Sequence, residues 1–176
     1  MAALVLPAFQ PAAALTDDQF EPRWDHSAAS LAALTKPKAR VGVFPSKGNA
    51  YRIVVTTSQM PTPVWIEPTI SAFIGIQALP DNWDSYGARK VNRDLISQSL
   101  AILESIMEAT SPAPSVVPLA GGGLQLEWHR KQQDLEIAFS VDAPPQYYYE
   151  NRATGLQQEG SASDAANLAQ LLRNIA

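Results

Sequence analysis

The chain has no cysteine among its 176 residues. That excludes disulfide scaffolds, thiolate zinc sites, iron–sulfur clusters and cysteine nucleophiles built from these residues. Only two histidines are present, His26 and His129, so imidazole chemistry rests on few positions. Charged residues make up 17%, below the usual quarter. The net charge is −4, and no basic face is visible of the kind that grips nucleic-acid phosphates. The densest basic run is Lys36, Lys38 and Arg40, interrupted by Pro37. It reads either as a solvated linker or as a steering patch for an anionic partner. No apolar run approaches the ~20 residues of a membrane span. The first seven residues lack a basic n-region and end in Pro7, so they do not read as a signal peptide, and the expected location is the cytoplasm.

What is present is an ordinary apolar fraction, 46%, enough to bury a core. Residues 1–40 are rich in Ala and Pro and read as a partly ordered arm. Ser27–Leu34 is long enough for two helical turns. Phe20 and Trp24 lie i, i+4 and are candidate anchors for a partner groove, although Pro22 between them works against a helix. From residue 41 to 176 the patterning reads as a single α+β domain: an antiparallel β-meander packed with two to three helices, plus a short N-terminal hairpin.

The hairpin pairs Val41–Phe44 with Tyr51–Thr57 around a turn at Pro45–Asn49. A first helix is expected over residues 65–79, with Ile66, Ile70, Phe73, Ile74, Gln77 and Ala78 on its stripe and Pro68 in its first turn. A second is expected over residues 92–109, capped by Asn92 and stapled by Val91 and Ile96. Leu124, Leu126 and Trp128 alternate with polar neighbours, as do Leu135, Ile137, Phe139 and Val141. A third strand is expected at Gln146–Asn151 after Pro144-Pro145, and Leu156–Glu159 can pair back. Such alternation on successive strands means one core face and one wet face. The last helix starts near Ser161 or Ser163 and carries Ala165, Leu168, Leu172 and Ile175.

Three strings are candidates for function. Leu79–Ala88 (LPDNWDSYGA) crowds Asp81, Asn82, Trp83, Asp84, Tyr86 and Gly87 into one loop. Asx side chains close turns, and Gly87 offers a positive φ. The same loop also offers two carboxylates beside an aromatic, a pairing suited to cation holding or acid–base work. Gly121–His129 (GGGLQLEWH) lacks the helix and the Lys-Ser/Thr of a phosphate loop. Its glycines read as a strand start or a close backbone approach. Glu127 and His129 share a strand face that Asp134 and Glu136 match on the next strand. That cluster reads as a solvated face with cross-strand pairs or as a metal or acid–base site. Tyr147, Tyr148 and Tyr149 make an aromatic strand with two rings on one face and one on the other.

Leu79–Ala88 and Gly122–His129, followed by Asp134–Ile137, together resemble a widespread group of small bacterial proteins without an assigned function. Its pattern is Leu-Pro-x-Asn-Trp-Asp-(Gly/Ser)-Tyr-Gly-Ala, a long helix, a Pro-rich loop and Gly-Gly-x-Gln-Leu-Glu-Trp-His. The likeness spans about residues 66–142, less than half of the chain. It implies genes in mobile-element or defence-like neighbourhoods and no known reaction.

The functional expectation is a non-enzymatic protein-binding module of antitoxin, immunity or phage–host conflict type. It uses no cofactor or metal, binds another and basic polypeptide, and touches nucleic acid only indirectly and membranes not at all. The expected contact residues are Tyr147, Tyr148, Tyr149, Glu127, His129, Glu136, Phe20 and Trp24. The expected structural motif is Asn82, Trp83, Asp84, Tyr86, Gly87 and Trp128, with both tryptophans buried near one core. One alternative is a hydrolase-like or metal-dependent enzyme using Glu127, His129, Asp81 and Asp84. The other is an acidic, nucleic-acid-linked regulator.

Overall fold

The computed structural model describes the backbone of residues 2–5, 39–45 and 51–57, and residues 62–176 in full. Phe20, Trp24, Lys36, Lys38 and the Ser27–Leu34 stretch lie outside the described residues. The described elements are three helices and two antiparallel sheets, an α+β architecture with the expected meander.

The first sheet is small. Strands β2 (Ala39–Pro45) and β3 (Tyr51–Thr57) form the expected hairpin, with Val43 opposite Ile53. The sheet has a third strand. Ala2–Val5, read from sequence as part of an arm, forms β1 and pairs with β3, Leu4 opposite Val55. Four apolar residues in a row carry no period-2 signal; the open edge of a β-branched strand decides their conformation.

Helix α1 (Ile66–Gln77) buries Ile66, Thr69, Ile70, Phe73 and Ile76. Pro68 sits in the first turn, where its missing N–H costs nothing. Ile74, placed on the stripe by sequence, is 51% exposed, and Ile76 takes the inward position. Helix α2 (Arg93–Ile106) begins as its sequence demands. Asn92 Oδ1 accepts from the Asp94 N–H at 2.9 Å, and Val91 and Ile96 are both buried. It ends earlier than expected, because Met107 is extended and a turn closed by Ser111 follows.

The second sheet is a five-stranded meander in chain order: β4 (Ser115–Pro118), β5 (Leu124–Arg130), β6 (Gln133–Ser140), β7 (Ala143–Asn151) and β8 (Leu156–Ser161). Leu124, Leu126 and Trp128, then Leu135, Ile137 and Phe139, then Tyr147 and Tyr149 point into the core. Val141 does not continue the series; it lies in the turn after β6 and is exposed. Pro144 and Pro145 belong to β7 rather than leading up to it. They sit beside the register shift between Ala138 and Ser140, before β8 begins to pair at Gln146. A proline is tolerated there because no ladder N–H is required of it.

Helix α3 (Ala165–Ile175) buries Leu168, Leu171, Leu172 and Ile175, as its spacing predicts. Its cap is Asp164, which accepts from the Asn167 N–H at 3.0 Å, not either serine. The three helices and one face of the sheet enclose a single continuous apolar cluster. Among the described residues no helix is long and apolar enough to cross a membrane.

Candidate functional site

The two distinctive strings meet in space. The Arg89 N–H donates to the Ala120 carbonyl at 2.8 Å, and the Asn92 N–H to the Gly122 carbonyl at 2.8 Å. The glycines are there for close approach. A Cβ at Gly123 would stand 2.4 Å from the Phe139 carbonyl oxygen, and Gly122 has φ +86. Gly123 has no room for a side chain in this backbone, and at Gly122 the left-handed φ would strain one.

The loop before this contact is closed by its own side chains. Asp84 Oδ1 accepts from the Tyr86 and Ala88 N–H groups at 2.8 and 3.0 Å. Asn82 Oδ1 accepts from the Gly87 N–H at 2.7 Å, and Asp81 Oδ1 from the Lys90 N–H at 2.8 Å. The Ala88 and Tyr86 donors hold the Asp84 carboxyl below its ordinary value. Asn82, Ser85 and Gly87 all take positive φ, two of them at a steric cost that the Asx bonds offset. Asn82 and Asp84 thus close this loop through their side-chain oxygens, and Gly87 supplies a positive φ.

The aromatic part of that expectation is corrected. Trp128 is buried at 2%, its indole N–H donating to the Pro112 carbonyl at 2.8 Å. Trp83 is only half-buried, its indole N–H on the Arg89 carbonyl, and it does not join the core. Tyr86 is 94% exposed.

The wet face of the meander holds the densest chemistry. Cross-strand register aligns its side chains in rows. One row runs Glu127, Glu136, Tyr148, Glu159; the next runs His129, Asp134, Glu150, Gln157. Gln125 and Ala138 continue the pattern on the other side. Five carboxylates thus share one face, Glu127, Asp134, Glu136, Glu150 and Glu159, and among the described residues no element packs over them. Glu127 and Glu136 are directly opposite, an arrangement that ordinarily destabilises a sheet. Gln125 relieves it by donating its amide to Glu127 at 3.1 Å and Glu136 at 2.8 Å.

His129 is clamped between two acids. Nδ1 lies 2.7 Å from Asp134 Oδ1, and Nε2 lies 3.1 Å from Glu127 Oε2. Donating to both requires the imidazolium form. The hydrogen bond to Asp134, then that to Glu127, raises its pKa above the ordinary value. Arg152 adds a second cation, its Nε 3.0 Å from Asp134 Oδ2. Tyr148 stands amid this field. Partial desolvation, then Glu150, Glu136, Asp134 and Glu159, push its hydroxyl above the ordinary tyrosine value. Tyr148 also lines an open depression of about 490 Å³ together with Gln125, Glu136, Ala138, Gln146 and Glu159.

Of the three tyrosines expected at a partner surface, only Tyr148 reaches it. Tyr147 and Tyr149 are buried, their hydroxyls bonded to Asn167 and Gln133. Strand alternation makes this unavoidable. The four residues of the enzymatic alternative do not share a cleft. Asp81 and Asp84 are engaged within a loop that packs at the Gly122 end of β5. His129 lies near the other end of that strand, about 20 Å along at ~3.3 Å per residue. Both ring nitrogens of His129 are occupied by carboxylates, and among the described residues no group of acids and histidines is arranged to hold a metal ion.

Sequence reading passed over three members of this face, Gln125, Glu150 and Glu159. Their signal was present in the alternation of β5, β7 and β8, but only the register brings them together. Comparison with protein-family models, with curated proteins and with solved structures returns no match.

Proposed function

We propose that this protein is a polypeptide-binding module that receives a basic partner on the wet face of its meander. The observation that carries the reading is five carboxylates on the open sheet face that carries Tyr148, with Arg152 and, when protonated, His129 offsetting only part of their charge. Folding alone does not call for this. A like-charge pair such as Glu127–Glu136 costs sheet stability, and a lysine at either position would remove the cost. An acidic surface raises the encounter rate with a basic one. A central tyrosine supplies contact area at low entropic cost.

A nucleic-acid-binding toxin or effector presents the basic surface this face would complement. The reading therefore fits an antitoxin, an immunity protein or another factor in phage–host conflict, acting in the cytoplasm. Kinship with the bacterial group that shares the Leu79–Ala88 and Gly122–His129 strings is part of the same proposal.

The test is to isolate the partner from the host with the tagged full chain and then measure association with purified components. Association should slow steeply as salt rises. Tyr148→Ala should weaken the complex, and Glu127→Gln and Glu136→Gln should mainly slow its formation at low salt. Binding that ignores salt and all three substitutions would remove this face from consideration.

A further inference from the structure

The meander has two edges, and they are treated differently. Strand β4 is four residues long, is preceded by Pro114 and ends at Pro118, and helix α1 lies against it. Short length, proline and a covering element are the usual guards of a sheet edge. Among the described residues, strand β8 has none of them. Leu156–Ser161 (LQQEGS) contains no lysine, arginine or proline, carries one charge, and among the described residues pairs on one side only, with β7. Helix α3 packs over β5 and β6.

We infer that β8 pairs antiparallel with β8 of a second copy of the chain, in the register that sets Gln158 opposite its own symmetry mate. The sequence of β8 selects both the occupant and the register. Antiparallel partners must face the same side of the sheet, so a two-fold axis can pass only through a residue pair. Centring on Glu159 would oppose two glutamates, which is unfavourable. Centring on Gln157 leaves only three residues of the strand paired. Centring on Gln158 pairs Leu156–Gly160 throughout, and the faces then complement one another.

On the wet face Gln157 meets Glu159 of the second copy, an amide opposite a carboxylate. On the core-side face Leu156 meets Gly160 of the second copy. Leu156 is 48% exposed in the single chain. Gly160 is the gap over which the Tyr147 ring lies: a Cβ there would stand 3.0 Å from that ring. Leucine on one copy thus covers glycine and tyrosine on the other, twice over, as an isologous contact requires. The product is a continuous ten-stranded sheet whose two acidic faces join into one.

The absence of cysteine makes the test direct. Sedimentation of the full chain should give twice 19.0 kDa. Gln158→Cys should cross-link to a covalent dimer under mild oxidation, since directly opposed residues lie within disulfide reach. Gln157→Cys should not, because its own mate would sit on the diagonal, about 7–8 Å away or more. Leu156→Lys, at an exposed position, should raise the dimer dissociation constant about tenfold or more. A monomer at every concentration tested overturns the inference. So does a dimer that cross-links at Gln157→Cys or at neither position.

Discussion

The two faces of the meander are made by the same strands, yet they obey different rules. The core face carries Leu124, Leu126, Trp128, Leu135, Ile137, Phe139, Tyr147 and Tyr149, all buried. Each position there is set by volume and polarity alone. The wet face, one residue out of phase, carries Glu127, Glu136, Asp134, Glu150 and Glu159. Those side chains are not what a sheet would choose for its own stability, since unlike charges or threonines pair better across strands. The difference separates what holds the fold from what the fold is holding up.

The contrast makes a graded set of predictions. Trp128→Ala should cost the most, ~3–5 kcal/mol, because it empties the core and strands the Pro112 carbonyl. Chemical denaturation measures it, and a parent-like midpoint would undo the claim that β5 anchors the core. Gly123→Ala should come next, at ~1–3 kcal/mol, since the added methyl meets backbone that does not yield easily. A neutral result would mean that β5 and β6 can separate locally.

Glu136→Gln should behave oppositely to any core change and raise stability by about 0.5 kcal/mol, by removing the repulsion from Glu127. Clear destabilisation would mean that the Gln125 bridge outweighs the repulsion, and the comparison of faces would lose its force.

The smallest effect concerns pH. The carboxylates hold the folded pKa of His129 above its ordinary 6.5. Its contribution is therefore fully present below pH 6.5 and is lost as pH rises through the higher folded value. Because the ring is half-exposed, the slope should be slight. Titration of its imidazole resonances by NMR should show the upward displacement, and Asp134→Asn should shrink it.

The sequence alone settled whatever depends on period and on local chemistry. Alternation identified β5 and β6 and assigned their faces, and Asn92 with its Val91–Ile96 staple located the start of α2. The glycine string was legible as a close approach, although not what it approaches. Tertiary structure decided the rest. It recruited Ala2–Val5 into a sheet through an edge that no local signal announces. It turned Ile74 outward and Ile76 inward, because which face of a helix is buried depends on what lies opposite. It left Trp83 half-buried in a loop that closes on itself. It gathered Gln125, Glu150 and Glu159 from three strands around Tyr148, because register is a property of pairs of strands and no single strand carries it.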